Sequence, residues 1–177
     1  MQAITKILRE GGIILYPTEG VWGLGCDPFN KTAVQRLLKL KGRSVSKGLV
    51  LVTAGWSMVS DLIALDLADY PVLEEVAEPI TWVFPATPMV PPWISGDFGS
   101  VAIRATSHEI AREICQQFGG AVVSTSANIS SSSPAMKLED VDRYILDNVD
   151  YIVSGVVGKL ARPSKIYDIL DMKPIRL

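Results

Sequence analysis

Ile4, Ile7 and Leu8 recur at helical spacing in residues 3–9, and Gly11-Gly12 interrupts them, so a short amphipathic helix is predicted there. Residues 13–16 form a continuous apolar run, a buried strand that must turn at Pro17. A glycine-rich stretch follows, Thr18-Glu19-Gly20 and then Trp22-Gly23-Leu24-Gly25. Asn30 is a suitable N-cap for a helix over 31–40 whose apolar face is Val34, Leu37 and Leu38, with Gly42 as its stop. Further strands are predicted at 49–53, 80–85, 100–105, 121–124, 151–153 and 166–170. Helical patterns are predicted as two stretches within 57–76 and as single helices at 110–118 and 137–146. The proline- and glycine-containing residues 87–99 read as a long surface loop. Thr106-x-x-Glu109 has the form of a capping box, which gives His108 a first-turn role. Helices and strands mix without strict alternation. The expected fold class is therefore α/β or α+β, a sheet with helices on its faces.

Composition narrows the chemistry. A chain of 177 residues with 48% hydrophobic and 20% charged residues suits one compact domain over 1–177. Its formal net charge of −2 excludes global attraction to nucleic acid, so any such contact needs a local basic patch. Cys26 and Cys115 have no metal-type spacing and read as buried free thiols. A single histidine, His108, excludes every mechanism that needs two. No apolar run reaches the roughly 18 residues of a membrane span, and the N-terminal segment reads as a helix, not a leader; the expectation is a cytoplasmic protein. No Walker A, no GxGxxG after a first strand and no metal-ligand cluster is present.

Five polar constellations break the apolar runs. Lys41-Gly42-Arg43, with Lys47 beyond, reads either as a solvated basic helix end or as a phosphate site joining a guanidinium fork to a point-charge lysine. Ser124-Thr125-Ser126-Ala127-Asn128 directly follows a strand, where α/β ligands gather; it is either an anion cradle or a polar turn. Tyr16-Pro17-Thr18-Glu19-Gly20 also lies at a strand end, with a hydroxyl and a carboxylate for a ligand or merely a capped turn. Arg104 closes an apolar strand and needs a carboxylate, from a ligand or from an internal Asp or Glu. Thr81 is a strand-borne hydroxyl, and Arg162-Pro163-Ser164-Lys165 brings two cations and a hydroxyl before a late strand.

These segments in order resemble one family. Tyr16-Pro17-Thr18-Glu19, Gly23-Leu24-Gly25-Cys26-Asp27, Leu40-Lys41-Gly42-Arg43, Lys47-Gly48-Leu49, Pro79-Ile80-Thr81, Val101-Ala102-Ile103-Arg104 and Ser124-Thr125-Ser126-Ala127-Asn128 are similar to the YrdC-like threonylcarbamoyl-AMP synthases, in their short single-domain bacterial form. Lys41, Arg43, Ser126 and Asn128 match the KxR and SxN signature. Two departures stand out: Val76-Ala77-Glu78-Pro79 where a Pro-Gly-Pro is usual, and Ser131 to Ser133 where a glycine often follows the SxN run.

The resemblance implies a twisted mixed sheet flanked by helices around a concave electropositive cavity. It implies formation of L-threonylcarbamoyladenylate and pyrophosphate from L-threonine, bicarbonate and ATP, with Mg²⁺ carried on the triphosphate and no resident metal. It assigns Lys41 and Arg43 to catalysis, and those two with Lys47, Ser124, Ser126, Asn128, Arg162 and Ser164 to ATP. Thr18, Thr81 and Arg104 fall to threonine. The product would feed t6A modification at position 37 of tRNA through TsaD, TsaB and TsaE proteins, and direct contact with tRNA or double-stranded RNA is also implied. The alternative reading is a YrdC-fold RNA-binding protein with little catalysis of its own. Carbamoyl transfer in metalloenzyme maturation is a third role in which such domains occur.

Overall fold

The computed structural model describes residues 2–74, 78–130, 132–160 and 162–176. Helix α1 (Gln2–Arg9) buries Ile4 and Leu8. Strands β1 (Ile14–Pro17) and β2 (Trp22–Gly25) form an antiparallel pair. Helix α2 (Lys31–Lys41) starts at Asn30, whose side chain accepts from the Ala33 N–H, and stops at Gly42 in the left-handed region (φ 59°). Then come β3 (Val50–Thr53), β4 (Ile80–Pro85), α3 (Pro92–Ser95), β5 (Ser100–Ala105), α4 (Glu109–Phe118) and β6 (Val122–Ser126). The described chain ends with α5 (Arg143–Leu146), β7 (Tyr151–Ile152), β8 (Lys165–Asp168) and β9 (Pro174–Arg176). One mixed sheet runs in the order β7-β1-β2-β6-β3-β5-β4-β8-β9.

Period-two alternation divides the core between the two faces of this sheet. Ile13, Leu15, Leu51, Ile103 and Val123 pack with α2 in one cluster, whereas Ile14, Tyr16, Val52 and Val122 pack with α1 and α4 in the other. Helices α1 and α4 cover only part of their face. The rest carries a row set by strand register: Ser124 lies opposite Val50, Val50 opposite Ala102, Ala102 opposite Val83, and Val83 opposite Asp168. That row crosses β6, β3, β5, β4 and β8, and all five residues line one cavity.

Several expectations are corrected. Residues 56–74 form four short 3-10 turns, not two helices. Asp66 accepts from the Ala68 N–H and starts a new turn, Pro71 starts another, and Ile63 bridges Ala86, so Leu62, Ile63 and Leu73 are buried turn by turn. Residues 75 and 76 of that prediction lie outside the described residues. The stretch read as one helix over 137–146 splits, because the Asp142 carboxylate caps a fresh start at Tyr144 (2.7 Å). The loop at 87–99 contains α3 and buries Val90 and Ile94. Trp22-Gly23-Leu24-Gly25, read only as a glycine-rich stretch, is the inner strand β2. A Cβ at Gly25 would sit 2.9 Å from both the Tyr16 ring and the Val123 carbonyl, so strand packing here requires glycine. β9 has no sequence signal beyond one apolar residue between Pro174 and Arg176.

Among the described residues no helix is long and apolar enough to cross a membrane. Cys26 and Cys115 are free and buried.

Gly25→Ala is expected to destabilise the fold by about 1–3 kcal/mol through overpacking. A urea titration checks this; an unchanged midpoint would mean that β2 has more room than its contacts imply.

Candidate active site

The cavity has a volume of about 720 Å³, within the range of small-molecule sites. Four cationic side chains are on its wall: Arg43, Lys47, Arg104 and Arg176; Asp168 is the carboxylate among its lining residues. Thr18, Ser124, Thr125, Ser126 and Ser164 add hydroxyls.

Each cation arrives by a different route. Gly42 ends α2 and turns the chain, which brings Arg43 back so that its Nη2 donates to the carbonyls of Gly48 (3.0 Å) and Lys47 (3.4 Å). Arg104 lies on β5 next to the row that floors the cavity. Arg176 on β9 pairs opposite Ile166 and donates from Nη2 to the Ser164 carbonyl at 2.7 Å. Burial lowers the pKa of Arg43. Burial, then the charges of Arg104 and Arg43, lower that of Arg176. These guanidinia therefore lie close enough to repel one another, a cost that a polyanionic ligand relieves. The buried Nε atoms of Arg43 and Arg104 have no hydrogen-bond partner among the described residues.

Arg104 does have an internal counter-charge. Its Nη2 lies 3.5 Å from Glu19 Oε2, with both side chains under a tenth exposed. Glu19 Oε1 accepts from the Thr106 hydroxyl (2.6 Å) and the Ser107 N–H (3.0 Å). Burial pushes the Glu19 carboxyl up, but Arg104 and these hydrogen bonds outweigh it and hold it below the ordinary value. Thr106 is thus committed to Glu19 and not to the expected box with Glu109; His108 is the N-cap of α4, without a side-chain cap bond.

Of the expected site residues, Thr18, Arg43, Lys47, Arg104, Ser124, Ser126 and Ser164 come together on the wall. Four do not. Lys41 is buried behind it and donates to the carbonyls of Ser126 and Asn128 (2.7 Å to the latter), while burial and then Arg43 push its ammonium down to about 8. Asn128 spends its amide on the Ile129 and Ser132 carbonyls. Thr81 is buried and shares a 2.7 Å hydrogen bond with the Ser164 hydroxyl. Arg162 is exposed and pairs with Glu78 at 3.0 Å, and Lys165 reaches the same carboxylate at 3.3 Å. The charge at the departing position Glu78 is therefore met by two cations. Ser131, Val76 and Ala77, from the other departures, lie outside the described residues. Sequence reasoning missed Arg176 as a wall residue; a cation in a short proline-led apolar segment was its only signal.

Fold and cavity together define a mixed-sheet α/β protein with a cavity lined by cationic and hydroxyl side chains. The Sua5/YciO/YrdC family model, described as "Telomere recombination", matches residues 6–177. The chain is 46% identical over 165 residues to the threonylcarbamoyl-AMP synthase of Nitrosococcus oceani, covering 92% of this chain and 89% of that one. Over 173 residues it is 42% identical to the same-named protein of Cellvibrio japonicus, covering 97% and 92%. The structure of P. abyssi Sua5 complexed with L-threonine superposes with a TM-score of 0.89 at 26% identity, over 98% of this chain and 52% of that protein, so the chain spans about half its length. The chain belongs to the Sua5/YciO/YrdC family.

Replacing Glu19 by Gln strips the buried Arg104 of its counter-charge. We expect a loss of about 3–5 kcal/mol at pH 7 in urea unfolding. Because the folded pKa of Glu19 is lowered, its contribution is complete above the unfolded value of roughly 4.3 and fades as pH falls further. The gap between wild type and the variant should therefore shrink below about pH 4, and a gap independent of pH would contradict the pairing.

Proposed function

We propose that this protein joins L-threonine, bicarbonate and ATP into L-threonylcarbamoyl-AMP with release of pyrophosphate, the activated intermediate for t6A37 in tRNA. The observation that carries the reading is the convergence of Arg43, Lys47, Arg104 and Arg176 on one hydroxyl-lined cavity, in a chain whose curated relatives bear the name of that synthase.

The reaction asks for positioning and charge stabilisation, not for an enzyme nucleophile. The threonine amine adds to the carbon of bicarbonate, which loses water to leave a carbamate. A carbamate oxygen then attacks the α-phosphorus of ATP. The bond from that phosphorus to the bridging oxygen breaks, and pyrophosphate departs with the electron pair. Arg43, Lys47 and Arg176 hold the triphosphate and the charge that develops on it, and Ser124, Ser126 and Ser164 donate to phosphate or ribose oxygens. Arg104 takes the threonine carboxylate beside Thr18. Lys41 acts from behind the wall by holding the Ser126 and Asn128 carbonyls, and Thr81 by orienting Ser164. Mg²⁺ enters with ATP as part of the substrate. It takes its oxygens from phosphate and water, with Asp168 the carboxylate at hand.

Threonylcarbamoyl-AMP is a mixed anhydride, so a transferase must consume it promptly. Proteins of the TsaD, TsaB and TsaE type are the proposed recipients, acting on tRNA, and the reading carries with it a cytoplasmic location.

Pyrophosphate release from ATP, Mg²⁺ and bicarbonate, measured with and without L-threonine, tests the proposal. Threonine-dependent release is expected. Folded protein that releases none yet binds tRNA with a steep salt dependence would instead be an RNA-binding module. Arg43→Ala should cut kcat/KM by roughly 10²–10³-fold with little change in unfolding midpoint, as for loss of one charge-stabilising donor. Near-normal turnover would remove Arg43 from the site.

A further inference from the structure

His108 is the only histidine in the chain and belongs to none of the groups assigned so far. Its imidazole Nε2 lies 3.0 Å from the carbonyl oxygen of Val156, 48 residues further on. A carbonyl only accepts, so the ring must carry its proton on Nε2. Nδ1 is buried without a hydrogen-bond partner among the described residues. Val156 itself is 81% exposed, so no packing of its side chain holds the chain at this point.

The segment thus held runs like a strap; its described residues, 153–160 and 162–164, form neither helix nor strand. It crosses the β1–β2 turn closely. The Gly158 N–H donates to the Thr18 carbonyl at 2.9 Å and the Leu160 N–H to the Glu19 carbonyl at 3.0 Å. A Cβ at Gly158 would meet the Glu19 carbonyl oxygen at 2.6 Å, and one at Gly20 would meet that of Arg162 at 1.9 Å. The Glu19 side chain, in turn, binds Thr106 and the Ser107 N–H, immediately before His108. Three segments distant in sequence therefore close a ring. The β1–β2 turn grips the β5–α4 turn through the Glu19 carboxylate. The β5–α4 turn grips the strap through His108. The strap returns to the β1–β2 turn through Gly158 and Leu160. Thr18 and Arg104 stand on the cavity side of this ring.

We propose that His108 is a positioning residue for the synthase reaction: by fixing the strap at Val156 it closes the ring that holds Thr18 and the Glu19–Arg104 pair in place for threonine. The assignment of those groups to threonine rests on the function proposed above; the ring itself does not. Glu19 binds its neighbours at several points and the strap binds the turn twice; beside the packing of Gly155 on Ile110 of α4, the one hydrogen-bonded link among the described residues from the β5–α4 turn to the strap is the imidazole bond. Its removal opens the ring without touching the cavity wall.

Two readouts test this. The first needs no activity. With one histidine, the ring nitrogens give an unambiguous ¹⁵N spectrum, and an Nε2–H tautomer is expected. In hydrogen exchange, His108→Ala should speed the Gly158 and Leu160 amides at least tenfold while the amides of β3 and β5 keep their protection. A Nδ1–H tautomer, or unchanged exchange at both amides, would overturn the ring whether or not the protein is a synthase. The second is kinetic. His108→Ala should raise KM for threonine about tenfold and leave kcat and KM for ATP within about twofold, and His108→Gln, which keeps an N–H donor, should recover most of the loss. Equal rises in both KM values, or no recovery by Gln, would assign His108 a general structural role and refute positioning of the threonine side.

Discussion

The Glu19–Arg104 pair is the constraint around which the site is organised. Two charges under a tenth exposed cost several kcal/mol each to desolvate, and their attraction repays this only when further hydrogen bonds complete the shell. Here Thr106 and Ser107 supply those bonds to one carboxylate oxygen, and Arg104 faces the other. The arrangement ties two turns together, because Glu19 sits in the β1–β2 turn and its partners lie at the end of β5 and just beyond it. It also leaves a guanidinium on the cavity wall whose buried Nε has no hydrogen-bond partner among the described residues.

Charge economy explains the rest of the cavity. The chain carries a net charge of −2, yet the wall bears four cations and a single carboxylate among its lining residues. Several cations elsewhere are spent on ion pairs: Arg36 with Asp150, Arg143 with Asp147, Lys173 with Asp171, Arg162 and Lys165 with Glu78. Clustered, incompletely paired guanidinia destabilise a protein through repulsion and desolvation, and a triphosphate or carboxylate ligand offsets that cost on binding. Repulsion among the guanidinia of the wall is therefore the physical basis of the anion binding proposed above.

Much of the fold was legible because local interactions decide it. The Asn30 cap and Gly42 stop of α2 follow from hydrogen bonds within four residues and from the left-handed φ that glycine tolerates. The apolar runs of β1, β3, β4, β5 and β6 announced themselves for the same reason. The misreadings have a common cause as well. β2 was hidden because Gly25 is demanded by the Tyr16 ring and the Val123 carbonyl, contacts invisible from Trp22-Gly23-Leu24-Gly25 alone. The 3-10 turns of 56–74 carry a helical apolar count, but each is docked separately onto the sheet.

By itself the sequence determined β1, β3, β4, β5 and β6, the capped helix α2, the need of Arg104 for a carboxylate, and the chemical character of Lys41-Gly42-Arg43 and of Ser124 to Asn128. Only the tertiary structure decided which of those groups meet a ligand. It turned Lys41 away from the cavity onto two carbonyls, committed Arg162 to Glu78, and brought Arg176 onto the wall beside Arg104. The physical reason is range. Caps and turns are settled by neighbours a few residues apart, whereas the cavity floor is a row of five residues aligned by strand register, and register depends on pairings such as Val50 with Ser124 and Val83 with Asp168, between segments far apart in the chain.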